Sequence, residues 1–403
     1  MFERLLIFKG AVVFLMVLTF TPIFSGLSER AAASENEILI AQVGDLSAPA
    51  TSWAGKPFAY GVRDYFTYLN SRGGVSGRKV RHLLVDGAYS IPRETAAFKK
   101  FSMQNIVVFI DWSTGGALQM APMCAKKKIV NFGGAPLEML SNPAKYPYRF
   151  IHSSTYEQCW RAIIDYQLQK KQGEKQVAAL TYPDSGFGRV NADAIRAYLK
   201  KMNIQIADEE IVGFKALDAT TQMLKMKMHN PTFVLNAQVQ PSISVIMRDA
   251  EKVGINAEKT QFYAPLNALG MELPKLGGSA VKCLVLSSPF SDISETDLAG
   301  VKEIVEFNAG KEWEPSAWYV HGWAAARVIA EGLRRVVEKG EKVTGENLKK
   351  ALETLKDFEN GGLTSPITFS SSNHIGARGV KLFRPDFKKM KGVKKVSDWI
   401  YPK

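Results

Sequence analysis

NIVVFIDWSTGGALQMAPMCAKKKIVNFGG, residues 105–134, contains in one stretch the pattern from which the rest of the chain is built. An apolar run, "NIVVFID", stops at Asp111. A Trp-Ser-Thr-Gly-Gly junction follows, then an amphipathic segment with three lysines at its end, then the short apolar run "IVNFGG". Short apolar runs bounded by turn residues read as buried strands, and the segment between them has helical spacing and length. A buried strand, a helix and a second buried strand make a parallel crossover unit, so helices are expected on both faces of a parallel sheet.

The same grammar runs outward in both directions. Before residue 105 come "ILIAQVGDL" as a strand, a turn-rich "SAPATSWAG", the helix "PFAYGVRDYFTYLNSR", the strand "KVRHLLVDG" and the helix "PRETAAFKKFSMQ". Pro92 stands at a first-turn position, where its missing N–H costs nothing. After "KYPYRFIHSS" the alternation restarts with "YEQCWRAIIDYQLQKK", "QVAALTYPD" and "VNADAIRAYLKKM", and it continues to "TQFYAPL". Two α/β units in tandem are therefore expected, divided near Ile151. A second irregular joint, "VLSSPFSDI", precedes two further helices, "DLAGVKEIVEFNAG" and "PSAWYVHGWAAARVIAEGLRRVVEKG".

Composition agrees with two domains: 403 residues, 46% apolar and 23% charged, are enough for sizeable cores. The first 33 residues are read apart from the fold. Arg4 and Lys9 precede the apolar run Gly10–Phe24, and Ala31-x-Ala33 offers a cleavage site, the anatomy of a signal peptide. The run is shorter than the roughly 20 residues a membrane-spanning helix needs, which disfavours a retained anchor. Three cysteines, Cys124, Cys159 and Cys283, allow at most one bridge and fit no metal pattern, so buried free thiols are expected. Net charge is +13, and nine basic residues face only Asp386 and Asp398 from Arg378 onward. A solvated basic face is the simpler reading, an affinity for anions or a membrane surface the other. No nucleic-acid-binding signature is present, and none is expected in an exported chain.

Several markers fall in one order along the chain: "AQVGDLSAPATSWAGKPFAYGVRDYFTYLNSRGGVSGRKV", the acid Asp86 after a strand, Trp-Ser-Thr at 112–114, Gly-Gly-Ala-Pro at 133–136, "TYPDSGFGR", and "SAWYVHGWAAARVIAEGL". The ordered set resembles the periplasmic solute-binding proteins of ABC transporters, in the branched-chain amino acid (Leu/Ile/Val-binding) family, over nearly all of the mature chain. The resemblance implies the two-lobed type I periplasmic-binding fold. Each lobe is then a mostly parallel sheet flanked by helices, with three strands forming the hinge. The N-terminal lobe would span 37–150 plus 288–366, and the C-terminal lobe 151–287 plus 367–403. It implies a monomer in the periplasm that closes on a small carboxylate-bearing metabolite and delivers it to a permease in the inner membrane, with no cofactor. A ligand sensor of the same fold, acting on a signalling partner, is the alternative.

The resemblance also assigns a site. Ser113 and Thr114 match the family's hydroxyl positions, Gly134, Ala135 and Pro136 its second loop, Trp53 an aromatic lid, and Phe187 a second-lobe aromatic. Asn236 and Gln238, ending "PTFVLNAQ", could bring amides to the cleft. The family's amino acid binders carry an acid for the ligand's ammonium in the loop here reading "YAPLNA", where this chain has Leu266 and Asn267. A buried ammonium without a counter-charge costs several kcal/mol, so an apolar or aromatic carboxylate without an ammonium group is expected instead. Asp184 could substitute for the acid or simply cap a helix.

The residues support this cradle independently of the resemblance. A helix N-terminus presents unpaired N–H groups and about half a positive charge. Glycines at 115 and 116 let an anion come close, Ser113 and Thr114 can donate hydroxyls, and Trp112 supplies an apolar wall. Ordinary capping by a hydroxyl explains the same residues and is compatible with binding. Catalysis is not expected. The five histidines lack metal-ligand spacing, "DSGFG" lacks the nucleophile frame, and "GGVSGRKV" is no phosphate-binding loop.

Overall fold

The computed structural model describes residues 37–268, 272–312, 315–387 and 392–402. The expected signal peptide, 1–33, lies outside them. The chain alternates as expected: β1 (Glu37–Gly44), α1 (Ser52–Ser71), β2 (Lys79–Asp86), α2 (Ile91–Phe101), β3 (Val108–Asp111), α3 (Thr114–Lys127) and β4 (Val130–Gly133). These four strands form one sheet in the order β2-β1-β3-β4, with β1, β3 and β4 parallel. All four residues of β3 and of β4 are buried, as strands covered on both faces must be.

A second sheet follows, with α4 (Tyr156–Lys170), β5 (Val177–Tyr182), α5 (Gly186–Lys201), β6 (Gln205–Ile211), α6 (Thr220–His229), β7 (Phe233–Asn236), α7 (Gln240–Lys252), β8 (Gln261–Pro265), α8 (Leu273–Gly277) and β9 (Val285–Ser288). The chain then returns to the first sheet's side with α9 (Ala299–Asn308), α10 (Ala317–Glu338) and α11 (Gly345–Leu352), α10 packing along α1. It ends in β10 (Lys381–Pro385) and β11 (Val393–Lys395), which extend the second sheet to β11-β10-β9-β8-β7-β5-β6. Pairs β9 to β6 are parallel, and the two added strands are antiparallel. The chain thus passes between the sheets three times. Two passages are stitched together where Ile151 N donates to His374 O and Gly376 N to Ile151 O.

Helices α1 and α10 approach closely because each offers a glycine to the other. A Cβ at Gly61 would collide with the Tyr319 carbonyl, and one at Gly322 with that of Phe58. The turn after α1, Gly73-Gly74-Val75-Ser76-Gly77, holds φ values of +99°, +70° and +88° at its glycines, which explains the glycine spacing of that stretch. One expectation is corrected here. Helix α1 begins at Ser52, five residues before Pro57, so Trp53 stands in its first turn and not in a loop. Asp45 builds that start: its carboxylate accepts the Ala48 N–H at 3.0 Å and the Thr51 hydroxyl. All three cysteines are free.

Candidate functional site

The strands of both sheets end where helices begin, and these ends border a narrow cavity open to solvent. From the first sheet's side it is lined by Thr51, Trp53 and Ala54 of α1 and its approach, by Tyr89, by Trp112 and Thr114, and by Gly134. From the second it is lined by Tyr156, Phe187, Val239 and Asn267. None of these eleven side chains carries a charge.

Of the residues expected from the sequence, six therefore come together: Trp53, Trp112, Thr114, Gly134, Phe187 and Asn267. Ser113 is the N-cap of α3 and accepts the Gly116 N–H at 2.9 Å, so its acceptor role is internal. The other early N–H groups of α3, those of Thr114 and Gly115, have no intrahelical acceptor. Ala135 and Pro136 are buried behind the wall. Ala135 O accepts from Arg149 Nη2 at 3.0 Å, and Pro136 O from Tyr156 N at 3.0 Å. Gln238 does not reach the cavity. Its amide donates to Val212 O and accepts from the Ser242 hydroxyl at 2.7 Å. Asn236 is likewise held inside, by the Thr181 hydroxyl and Tyr263 O. Leu266 is in the core, one position short of the lining Asn267. Asp184 neither caps nor faces the cavity: Ser185 is the N-cap, and Asp184 pairs with exposed Arg189 at the surface.

Thr51, Ala54, Tyr89, Tyr156 and Val239 were missed. Ala88 and Tyr89 both occupy the left-handed region, at φ +46° and +54°, an uncommon pair for residues with side chains. This turn brings the Tyr89 hydroxyl against Thr114, while burial pushes its pKa up. Tyr156 is the first residue of α4 and its hydroxyl meets both Thr114 and Asn267; burial raises its pKa too. Both phenols thus stay protonated donors at neutral pH. The sequence did carry a signal for Tyr156, since Thr155 and Gln158 form a reciprocal capping box that fixes the helix start there.

The walls are held by ring contacts. Trp318 of α10 meets Trp112 edge-on at 5.4 Å and Trp53 at 6.4 Å, while Phe58 packs on Trp112 at 5.2 Å. On the other side Phe187 meets Tyr156 at 5.8 Å, and Phe214 bridges from Phe187 to Tyr89 at 6.2 and 6.4 Å. A Cβ at Gly134 would lie 2.5 Å from Trp112 Cε3. Gly134→Ala is therefore expected to drive the indole toward the cavity and weaken ligand affinity at least tenfold. Stability should fall by about 1–3 kcal/mol, the usual cost of overpacking. Calorimetric titration alongside urea unfolding separates the two effects.

Behind this uncharged lining lies a buried charged frame. Asp111 ends β3, and Arg149 Nη1 pairs with its carboxylate while also donating to Asn131 Oδ1 at 2.9 Å. Asn131 in turn donates to Asp111 Oδ2 at 2.9 Å. Among the described residues no group of His, Cys, Asp and Glu could hold a metal ion.

The comparisons with known proteins agree with this geometry. A family model described as periplasmic binding protein matches residues 37–391. The Leu/Ile/Val-binding protein of Escherichia coli K12 is 22% identical over 316 residues, 77% of this chain and 82% of that one. The Leu/Ile/Val/Thr-binding protein of Salmonella typhimurium is 22% identical over 320 residues, 78% and 84% of the two chains. Among solved structures, a branched-chain amino acid ABC transporter protein from Thermus thermophilus with bound valine superposes with a TM-score of 0.83 at 22% identity, covering 91% of this chain and 97% of that one. A fatty acid ABC transporter substrate-binding protein from Thermomonospora curvata gives 0.81 at 17% identity, covering 91% and 92%.

Proposed function

The chain belongs to the periplasmic binding protein family, and on that premise we propose that it captures a small carboxylate with an apolar or aromatic body and no ammonium group. It is a binding protein and not an enzyme. The observation that carries the ligand class is the lining itself. Thr114 at the α3 N-terminus faces aromatic walls across the cavity, and Asn267, in the loop where the family's amino acid binders carry an acid, lines it without a charge. The cradle offers an anion partial positive charge and hydroxyl donors. It offers a buried ammonium no ionised partner, a loss of several kcal/mol. The Thermomonospora protein, named for fatty acids, has the same fold as the valine-bound Thermus protein; the first class of ligand has no ammonium, the second has one.

Capture would occur by closure of two lobes, 37–150 with 288–366 against 151–287 with 367–403. Contacts made only in the shut form would draw the population toward it. The closed form would then be the one delivered to a permease in the inner membrane.

A direct comparison tests the ligand class. Isocaproate, the leucine skeleton without its ammonium, should raise the melting temperature of the mature protein, because a ligand of the native state stabilises it by mass action. Leucine should bind at least a hundredfold more weakly. Tight leucine binding in a calorimeter would defeat the reading of Asn267, and a carboxylate series with no shift at all would defeat the carboxylate.

A further inference from the structure

Beneath the α3 N-terminus lies an acid that the site as described does not use. Glu94, in the first turn of α2, is 1% exposed. Its Oε2 is buried without a hydrogen-bond partner, and it occupies the space that a Cβ at Gly116 would fill. The second glycine of Trp-Ser-Thr-Gly-Gly is thus explained by this carboxyl, which needs that room. Glu94 lies against the first turn of α3, whose Thr114 lines the cavity, and its charge acts on Tyr89, which lines it too.

The groups around it do not compensate a negative charge. Asp45 faces it from the loop after β1, Asp111 from the end of β3, and Tyr89 from the strained turn before α2. The Ser113 hydroxyl and N–H are its only favourable neighbours among the groups that shift it, and Arg149 is already committed to Asp111. Burial is the largest influence, and the carboxyl's pKa is pushed up to about 8.

We propose that Glu94 sets the charge the cradle accepts: it admits an anion only while protonated, so that in alkaline solution each carboxylate captured takes up one proton from water onto Glu94. This rests on the carboxylate reading of the site. When Glu94 is neutral, the helix N-terminus is free to face the ligand's charge. Once it is ionised, two carboxylates would compete for one half-charge in a water-poor space, and like charges so placed do not both persist.

The test uses isocaproate as the probe, with calorimetric titrations of the mature protein from pH 6.5 to pH 9.5. Affinity should be flat at the acid end and fall roughly tenfold per pH unit above about pH 8, the slope of a one-proton linkage. Titration at pH 9 in two buffers of different ionisation enthalpy should report about one proton taken up per ligand, a readout that needs no variant. Isocaproamide, uncharged throughout, should bind with a flat profile. Glu94→Gln should flatten the profile for isocaproate. If isocaproate binds equally at both ends of the range with no proton uptake, this proposal falls while the carboxylate reading stands. A parallel decline for the amide would overturn it too. If isocaproate binds at no pH, both fall.

Discussion

Arg149→Met should destabilise the protein by about 3–5 kcal/mol and abolish ligand binding even where it still folds. The side chain is 1% exposed and holds three parts of the site together. Its Nη1 neutralises Asp111, the residue that ends β3 just before Trp112. The same nitrogen donates to Asn131 Oδ1 in β4, and Nη2 donates to Ala135 O in the loop beside Gly134. Methionine replaces the volume of the stem but leaves the Asp111 carboxylate buried with only the Asn131 amide for support. An uncompensated buried charge is the costly outcome, more costly than the pair was favourable. The double substitution Asp111→Asn with Arg149→Met removes both charges, so it should recover more than half of the lost stability. It should not recover binding, because the Ala135 carbonyl loses its anchor. Urea unfolding of the two variants decides this: a single-variant loss below about 1 kcal/mol, or a double variant no better than the single, would refute the account.

How much of this was legible in the sequence depends on how local the cause is. The strand–junction–helix unit at 105–134 could be read because its signals lie next to one another: an apolar run, a capping hydroxyl and a lysine-rich helix end. The same locality gave Trp112, Thr114 and Gly134. Near misses came where a strand end leads into a helix. Val239 and Asn267 line the cavity, whereas their neighbours Gln238 and Leu266 point inward. Alternation identifies the strand end but not which of two adjacent residues faces the gap once the backbone leaves the strand. Tyr89 was invisible because two left-handed residues with side chains aim it, and composition gives no warning of them. Asp111 and Arg149 are 38 positions apart, and Glu94 meets Ser113 and Gly116 across the gap between two helices. Such pairings arise only from tertiary contact, so the cradle's donors were readable and the charges behind it were not.

Acid should destabilise the protein through the place where two of the inter-sheet passages meet α10. His152, in the first passage, packs against His321 of α10 with ring centroids 5.0 Å apart, and His321 stacks on Phe290 of the second passage at 4.1 Å. Both histidines are buried, and neither His152 Nε2 nor either ring nitrogen of His321 has a hydrogen-bond partner. Burial holds the His152 pKa down at about 3, with Arg149 adding to the effect. Burial, with His152 beside it, holds His321 well below its usual value. A histidine whose folded pKa is depressed contributes stability that is complete above about pH 6.5 and is lost as pH falls toward the folded value. Each group then costs about 1.4 kcal/mol per pH unit on the way down. Glu94 acts with the opposite sign, because its raised folded pKa means that the native state holds an extra proton between about pH 4.5 and pH 8. From pH 6.5 to pH 4.5 it offsets one of these histidines, while His82 of β2, with both ring nitrogens buried and unpartnered and its pKa held down at about 3, adds a loss of the same sign. Unfolding free energies from urea titrations across that range should show this slope. The slope should steepen by about 1.4 kcal/mol per pH unit in Glu94→Gln and become shallower by about the same amount in His321→Phe, where a ring of similar shape keeps the stack on Phe290 without a proton to gain. Equal stability at pH 6.5 and pH 4.5 in all three proteins would mean that these rings are hydrated or already charged in the native state, and the passages would not be the acid-sensitive joint of the fold.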